Sequence, residues 1–206
     1  MISPYEGLPL TKWKEKTAEL VRVHPLIMGE VIDVVLEAWE GILQTKIAGK
    51  LAIGIDVFPQ PQIMGNYLHE LIPVILEQRY PGKWSRDLRK KDKDLVYLPD
   101  SRFSTEIKTS SNANNIYGNA SYGKEDSSSV SSKSRDGYYL AINFEKFQQN
   151  NPSYKPEIRK IRFGWIDHLD WHSQAASSGQ QSSIKPDVRD NKLLLIYDKN
   201  NGGRLI

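Results

Sequence analysis

The sequence contains no cysteine, and that absence removes several kinds of chemistry at once. A disulfide framework, a thiol nucleophile and any cysteine-ligated zinc or iron–sulfur centre are excluded. The simplest home for such a chain is a reducing cytoplasm, which is the expected location. Long apolar runs are missing as well. Glu6, Lys12, Lys14, Glu15, Lys16 and Glu19 interrupt the N-terminal stretch, and no apolar run long enough for a membrane span follows, so neither a signal peptide nor a transmembrane helix is expected. Charge of one sign is not in excess: 28 Lys and Arg stand against 25 Asp and Glu, a formal net charge of +3 over 206 residues. That rules out a histone-like polycation, and the global charge names no partner. Internal repeats are absent too, which excludes a solenoid or propeller. What remains is a chain long enough for one domain with a sizeable core.

The material that is present is organised with helices first. Between Pro25 and Lys46 the polar residues Glu30, Asp33, Glu37, Glu40 and Gln44 recur every three or four positions, while Ile27, Val31, Val35, Ala38, Trp39 and Ile42 fill the opposite face. That period predicts an amphipathic helix with a solvated acidic stripe. A shorter helical pattern runs from Thr11 to about Val23. After the link Phe58-Pro59-Gln60-Pro61, Asn66 is the expected cap of a helix reaching about Arg79, kinked at Pro73. Strand character follows at Leu95–Leu98 and Phe103–Thr109, and Pro99-Asp100-Ser101-Arg102 between them is turn chemistry, which predicts a hairpin. Residues 110–136 lack periodicity, and the 15 residues from Ser121 to Arg135 hold seven serines. A loop of that length inside a domain is expected to be functional or disordered. Tyr138–Phe144, Ile161–Ile166 and Lys192–Tyr197 read as further strands, and Asp170–Ala176 as a short helical turn. The expected fold is α+β, with a central mixed β-sheet flanked by α-helices.

The hairpin carries the chemistry. Side chains alternate along a strand, so Glu106 and Lys108 share one face while Ile107 points into the core. A preceding aspartate brought alongside would give two hard oxygen ligands and one cation, a set that suits Mg²⁺ at a phosphodiester. Two aspartates compete for that place. Asp100 lies at the hairpin tip, about four residues from Glu106 or roughly 13 Å along the strand, too far for one ion to bridge. Asp94, at the far end of the first strand, joins the face of Glu106 and Lys108 if paired residue numbers add to an even value such as 200 or 202. A three-residue loop pairing Pro99 with Phe103 meets that condition and sets Asp94 opposite Lys108.

An aspartate at a strand start, followed twelve residues later by Glu106-Ile107-Lys108, resembles the PD-(D/E)XK nuclease superfamily, with the Pro-Asp dipeptide displaced to the turn. The blocks Gly118-Asn119-Ala120-Ser121-Tyr122, Gly164-Trp165-Ile166-Asp167-His168 and Gly179-Gln180-Gln181 are similar to those of type II restriction endonucleases of the ScaI group. The resemblance covers roughly residues 90–197; the N-terminal 60 residues carry none. It implies a restriction-endonuclease-like core in which Asp94 and Glu106 hold Mg²⁺ with the Ile107 carbonyl and Lys108 positions or activates water. It also implies a further acid on the preceding helix, for which Glu70 is the candidate and Glu77 the runner-up.

Double-stranded DNA is the expected partner. Six basic residues, including Lys90 and Lys91, lie between Lys83 and Lys93 against two acids, immediately before Asp94, where phosphate contacts are needed. Asn112, Asn114, Asn115, Asn119, Ser121 and Tyr122 offer short polar side chains of the sort that reach base edges, Asn being able to pair with adenine in bidentate fashion. Gln174, Gln180 and Gln181 are further base readers implied by the resemblance. A zinc site at His168 and His172 is set aside, because structural zinc needs four ligands and the adjacent Trp165 and Trp171 indicate packing.

One domain over 1–206 is expected. It divides into a helical part at 1–60, the catalytic helix and hairpin at 64–110, a polar recognition loop at 111–137, and the remaining strands with a DNA-contact turn at 138–206. The function expected is Mg²⁺-dependent cleavage of DNA at a short palindromic site by a homodimer, with a DNA methyltransferase as genetic partner but not as subunit. The rivals are a structure-selective repair or junction-resolving nuclease and a non-catalytic DNA-binding protein.

Overall fold

The computed structural model describes residues 2–119, 134–148, 150–151, 153–173 and 181–206. The N-terminal periodicity forms α1 (Trp13–Val23), preceded by a 3-10 turn at Leu10–Lys12, and α2 (Met28–Gln44). The acidic stripe of α2 faces outward, but it is an ionic seam and not a bare solvated face: Asp33 pairs with Arg204, Glu37 with Arg79 and Glu40 with Lys155. Next comes a small hairpin, β1 (Lys46–Ile47) and β2 (Leu51–Ala52), which two-residue strands do not announce by any alternation. The next helix, α3 (Pro61–Arg79), starts earlier than Asn66 predicts. Proline at the first turn has its φ preset and lacks only an N–H that would be unpaired there anyway, so Pro61 opens the helix and Asn66 lies inside it.

The main sheet contains β3 (Trp84–Arg86), β4 (Leu95–Tyr97), β5 (Thr105–Ser110), β7 (Gly137–Phe144), β8 (Ile158–Ile166), β11 (Leu193–Asp198) and β12 (Gly203–Arg204). Its order is β12-β11-β8-β7-β5-β4-β3. The β5–β7 pair is parallel and its other neighbours are antiparallel, so the sheet is mixed, as the α+β reading requires. A second sheet, ordered β6-β10-β9, joins β6 (Tyr117–Asn119), β10 (Gln181–Ile184) and β9 (Trp171–Ser173). Two expectations are corrected here. The stretch after residue 110 contains a strand, and the helical turn expected from Asp170 is a 3-10 turn at His168–Asp170 running into β9. Asp167 and Asp170 bond each other's backbone in a capping box, which closes that turn after one winding.

Every residue of β7 is buried. Tyr138, Leu140, Ile142 and Phe144 enter the core shared with α1, α2 and α3, while Tyr139 and Ala141 pack on the other side with Ile116, Ile166, Trp171 and Val188 of α4 (Pro186–Lys192). A strand covered on both faces reads as a near-continuous apolar run, which is how Tyr138–Phe144 stands out in the sequence, interrupted only by Asn143. Beneath the 3-10 turn, the Lys192 ammonium is buried between Asp167 at 2.7 Å and Asp170 at 2.8 Å. Burial pushes the Asp170 carboxyl upward against the opposing pull of Lys192.

Candidate active site

The β4–β5 connection is fastened at its tip by Asp100. Its carboxylate accepts the Arg102 N–H at 3.0 Å and pairs with the Arg102 guanidinium at 2.7 Å, which holds the carboxyl below its usual range. Asp100 is thereby a turn residue. Behind the tip, the buried ring of His24 donates from Nε2 to the Phe103 carbonyl at 2.9 Å and accepts the Leu26 N–H on Nδ1 at 3.1 Å. Aromatic neighbours Trp84, Phe103, Tyr138 and Phe163 surround it. Burial in that cage pushes its pKa down to about 4, so the ring is neutral and ties the α1–α2 junction to the hairpin.

Leu95 pairs with Thr105, so partner numbers add to 200 and Asp94 falls in the row of Glu106. The register differs by one step from the 202 of a three-residue loop, which would set Asp94 opposite Lys108, and it keeps the even parity. Asp94 Oδ2 accepts the Ile107 N–H at 2.7 Å and stands 3.5 Å from His69 Nδ1. Glu106 is buried, and its Oε1 accepts from Lys108 Nζ at 2.8 Å. On the other face of β5, α3 comes so close that a Cβ on Gly65 would lie 2.5 Å from Thr109 Oγ1. This approach, which only glycine permits, carries His69 to Asp94 one turn further along the helix.

A cleft of about 700 Å³ opens beside these groups, bordered by Asn66, His69, Lys108, Asn119, Lys146 and Gln181. Asn119 and Gln181 are cross-strand partners on β6 and β10. Lys90 and Lys91 are exposed on the segment leading into β4. Asn112, Asn114 and Asn115 occupy the turn before β6, where the Asn112 side chain accepts main-chain N–H groups and Asn114 accepts from Lys160. Asn115 Nδ2 donates to the Tyr117 hydroxyl at 3.2 Å. Ser121, Tyr122, Gln174 and Gln180 lie outside the described residues. Glu70 is exposed beside His69, whereas Glu77 meets Ser85 and Arg86 on the β3 side of the helix. His168 Nδ1 is 3.1 Å from Asp136.

A family model described as ScaI restriction endonuclease matches residues 3–197. The chain is also 43% identical over 195 residues to the type II restriction enzyme ScaI of Streptomyces caespitosus, an alignment covering 95% of this chain and 85% of that enzyme. The chain belongs to the ScaI restriction endonuclease family. The match begins at residue 3, so the N-terminal helices, whose sequence carries no motif, belong to it too. ScaI-family proteins are type II site-specific deoxyribonucleases, and such enzymes act on double-stranded DNA with a divalent metal ion. That membership selects among the three readings of the sequence, leaving aside the junction resolvase and the non-catalytic binder.

The donor set fits such an ion. Two carboxylates and a main-chain carbonyl are hard oxygen ligands, and among the described residues no group of three or more His, Cys, Asp and Glu forms a dedicated cage. A small, strongly hydrated cation held by one or two carboxylates, with water and phosphate filling the remaining positions, needs no more. Three cleft residues escape a reading of the ScaI-family sequence motifs. Asn66 and His69 share the polar face of α3 with Gln62, a spacing of four and three that marks a face without saying what it meets. Lys146 follows the end of β7 and has no local signal at all. Among the described residues, no helix is long and apolar enough to cross a membrane.

Proposed function

We propose that this chain hydrolyses both strands of DNA at a short palindromic site with Mg²⁺, using Asp94 and Glu106 as ligands together with the Ile107 carbonyl. The observation that carries this reading is the β4–β5 register, which sets two carboxylates in one row with Lys108 bonded to the second. When bound, Mg²⁺ supplies Lewis-acid stabilisation of charge developing on the phosphoryl oxygens. Lys108 orients the attacking water or offsets that charge. Glu70 supports the site from α3, a role supported by its position next to His69. Lys90 and Lys91 hold phosphates on the approach to Asp94, and the cleft residues Asn119 and Gln181 reach base edges, joined by Ser121, Tyr122 and Gln180 from the adjoining sequence.

A palindromic target has two-fold symmetry and two strands to cut, so one subunit per strand, in a homodimer, is the economical arrangement. A DNA methyltransferase gene nearby protects the host from such an enzyme. The domain divides as the sequence does, with the catalytic helix and hairpin at 64–110 and the recognition segment at 111–137.

Digestion of a plasmid of known sequence with purified protein and Mg²⁺, followed by end mapping, tests the activity. Discrete fragments sharing one terminal sequence are expected; random degradation, or cutting confined to branched DNA, overturns it. Asn119→Ala tests readout, with Ca²⁺ replacing Mg²⁺ to block hydrolysis. Its affinity for the cognate duplex should fall by roughly 1–3 kcal/mol and its affinity for a scrambled duplex hardly at all.

A further inference from the structure

The turn before β6 is clamped from below by three neighbouring strands. Ser110 of β5 pairs with Asn143 of β7, and Asn143 with Lys160 of β8, so the three form one row across the sheet. Each member of the row meets the turn. Ser110 Oγ accepts the Asn112 N–H at 3.1 Å. Asn143 Nδ2 donates to the carbonyls of Asn112 at 2.9 Å and Asn115 at 3.1 Å. Lys160 Nζ donates to Asn114 Oδ1 at 2.7 Å. From above, Asn112 Oδ1 accepts the N–H groups of Asn114 at 3.0 Å and Asn115 at 2.9 Å. The turn is therefore closed by its own first side chain and held at both ends by one buried amide.

That amide has a fixed sense. Asn143 is 0% exposed, and its Oδ1 accepts from Arg162 Nη1 at 2.8 Å. A guanidinium only donates, so it can bond nothing but the oxygen end of the amide in front of it, and the NH₂ end must face the two carbonyls. Arg162, itself 4% exposed and with its pKa pushed down to about 10 chiefly by burial, is the second layer of the same support.

We infer that Asn143 is a positioning residue for sequence discrimination, setting where β6 carries Asn119 into the cleft, and that the Asn112 amide fastens the turn instead of reading a base. The inference rests on the cleft being the DNA site proposed above. Lys108 lies in the same strand as Ser110, so the clamp joins the strand of the reacting groups to the strand of the base contact. Displacements of about 1 Å at such a junction are enough to change rates by two orders of magnitude.

The test compares Asn112→Ala, Asn112→Asp and Asn143→Ala in the full chain. Aspartate keeps the oxygen that accepts two N–H bonds and lacks the NH₂ group that a bidentate contact to adenine requires. Two readouts are needed: single-turnover cleavage of the cognate duplex against duplexes altered at one base pair, and amide hydrogen exchange over residues 111–119 without DNA. Both alanine variants should lower discrimination by about tenfold or more and speed exchange at Asn114 and Asn115, and Asn112→Asp should restore both. Discrimination in Asn112→Asp as poor as in Asn112→Ala, with its amides still protected, makes Asn112 a base reader and overturns the inference. So does a folded Asn143→Ala with wild-type discrimination. Where melting shows that Asn143→Ala does not fold, the Asn112 pair decides alone. A wild type that cuts no DNA defeats the reading of the cleft, and unchanged exchange in the alanine variants defeats the clamp separately.

Discussion

The carboxylate of Asp94 accepts the main-chain N–H of Ile107, the residue between Glu106 and Lys108. The strand that supplies one acid and the lysine therefore also orients the other acid. A substitution that keeps the hydrogen bond but removes the charge separates chemistry from folding.

Asp94→Asn is that substitution, because its side-chain oxygen still accepts the Ile107 N–H. Cleavage should fall by at least about 10²–10³, as when a group stabilising transition-state charge is lost, with the melting temperature nearly unchanged. Glu106→Gln and Lys108→Ala should behave alike, and binding in Ca²⁺ should survive in all three. Full cleavage by any one of them removes that residue from the centre.

Asp100→Asn should keep most activity, since the Asp100 carboxylate is engaged by Arg102 across the turn. Parallel cleavage assays on the two asparagine variants decide between the aspartates, and loss in Asp100→Asn with retention in Asp94→Asn would reverse the assignment.

Replacing Lys90 and Lys91 by Ala should weaken binding to cognate and random duplexes equally. Each phosphate contact releases about one counterion, so the slope of log affinity against log salt should fall by up to ~2. An unaltered slope places both lysines away from the backbone.

His24 makes stability depend on pH. Its folded pKa is depressed from 6.5 to about 4, so below the ordinary value the unfolded chain takes up a proton that the folded chain refuses. Its contribution is complete above pH 6.5 and declines as pH falls toward 4, by on the order of 3 kcal/mol in total. Carboxylates titrate in the same window, so the measurement is the difference in unfolding free energy between wild type and His24→Gln. That difference should shrink as pH is lowered across the interval, and a constant difference contradicts a neutral buried ring.

Lys192→Met leaves Asp167 and Asp170 buried together without their cation. The expected cost is about 3–5 kcal/mol in denaturant unfolding, as for other buried pairs that lose one partner. Adding Asp170→Asn should recover part of it.

What the sequence made legible follows from how local each signal is. The α1 and α2 faces repeat over several turns, and β7 is apolar but for Asn143 because both its sides are covered. Asp94 was separable from Asp100 because strand parity is a rule about two adjacent segments. By contrast β3, β9 and β12 are two or three residues long, too short for alternation to show. The start of α3 went to Pro61 because a preset φ at the first turn outweighed a capping side chain further in. The hydrogen bonds of the turn's asparagines were not legible because Asn serves equally well to reach outward or to satisfy its own main chain, and the partners that hold them, Asn143 and Lys160, come from distant strands. His69 was illegible for a similar reason, since its reach to Asp94 depends on how closely Gly65 meets Thr109.

The parallel pairing of β5 with β7 has an evolutionary consequence. The two strands are matched at six positions, from Thr105 with Tyr138 to Ser110 with Asn143, and that match owes nothing to the chain that travels back between them. Closing such a connection depends only weakly on its length, about 0.6 kcal/mol for each doubling. A change in the number of residues between β6 and β7, over 120–133, therefore costs little against the pairing that keeps Glu106 and Lys108 beside Tyr139 and Ala141. Insertions and deletions among related chains should accordingly gather in that connection and spare the two paired strands.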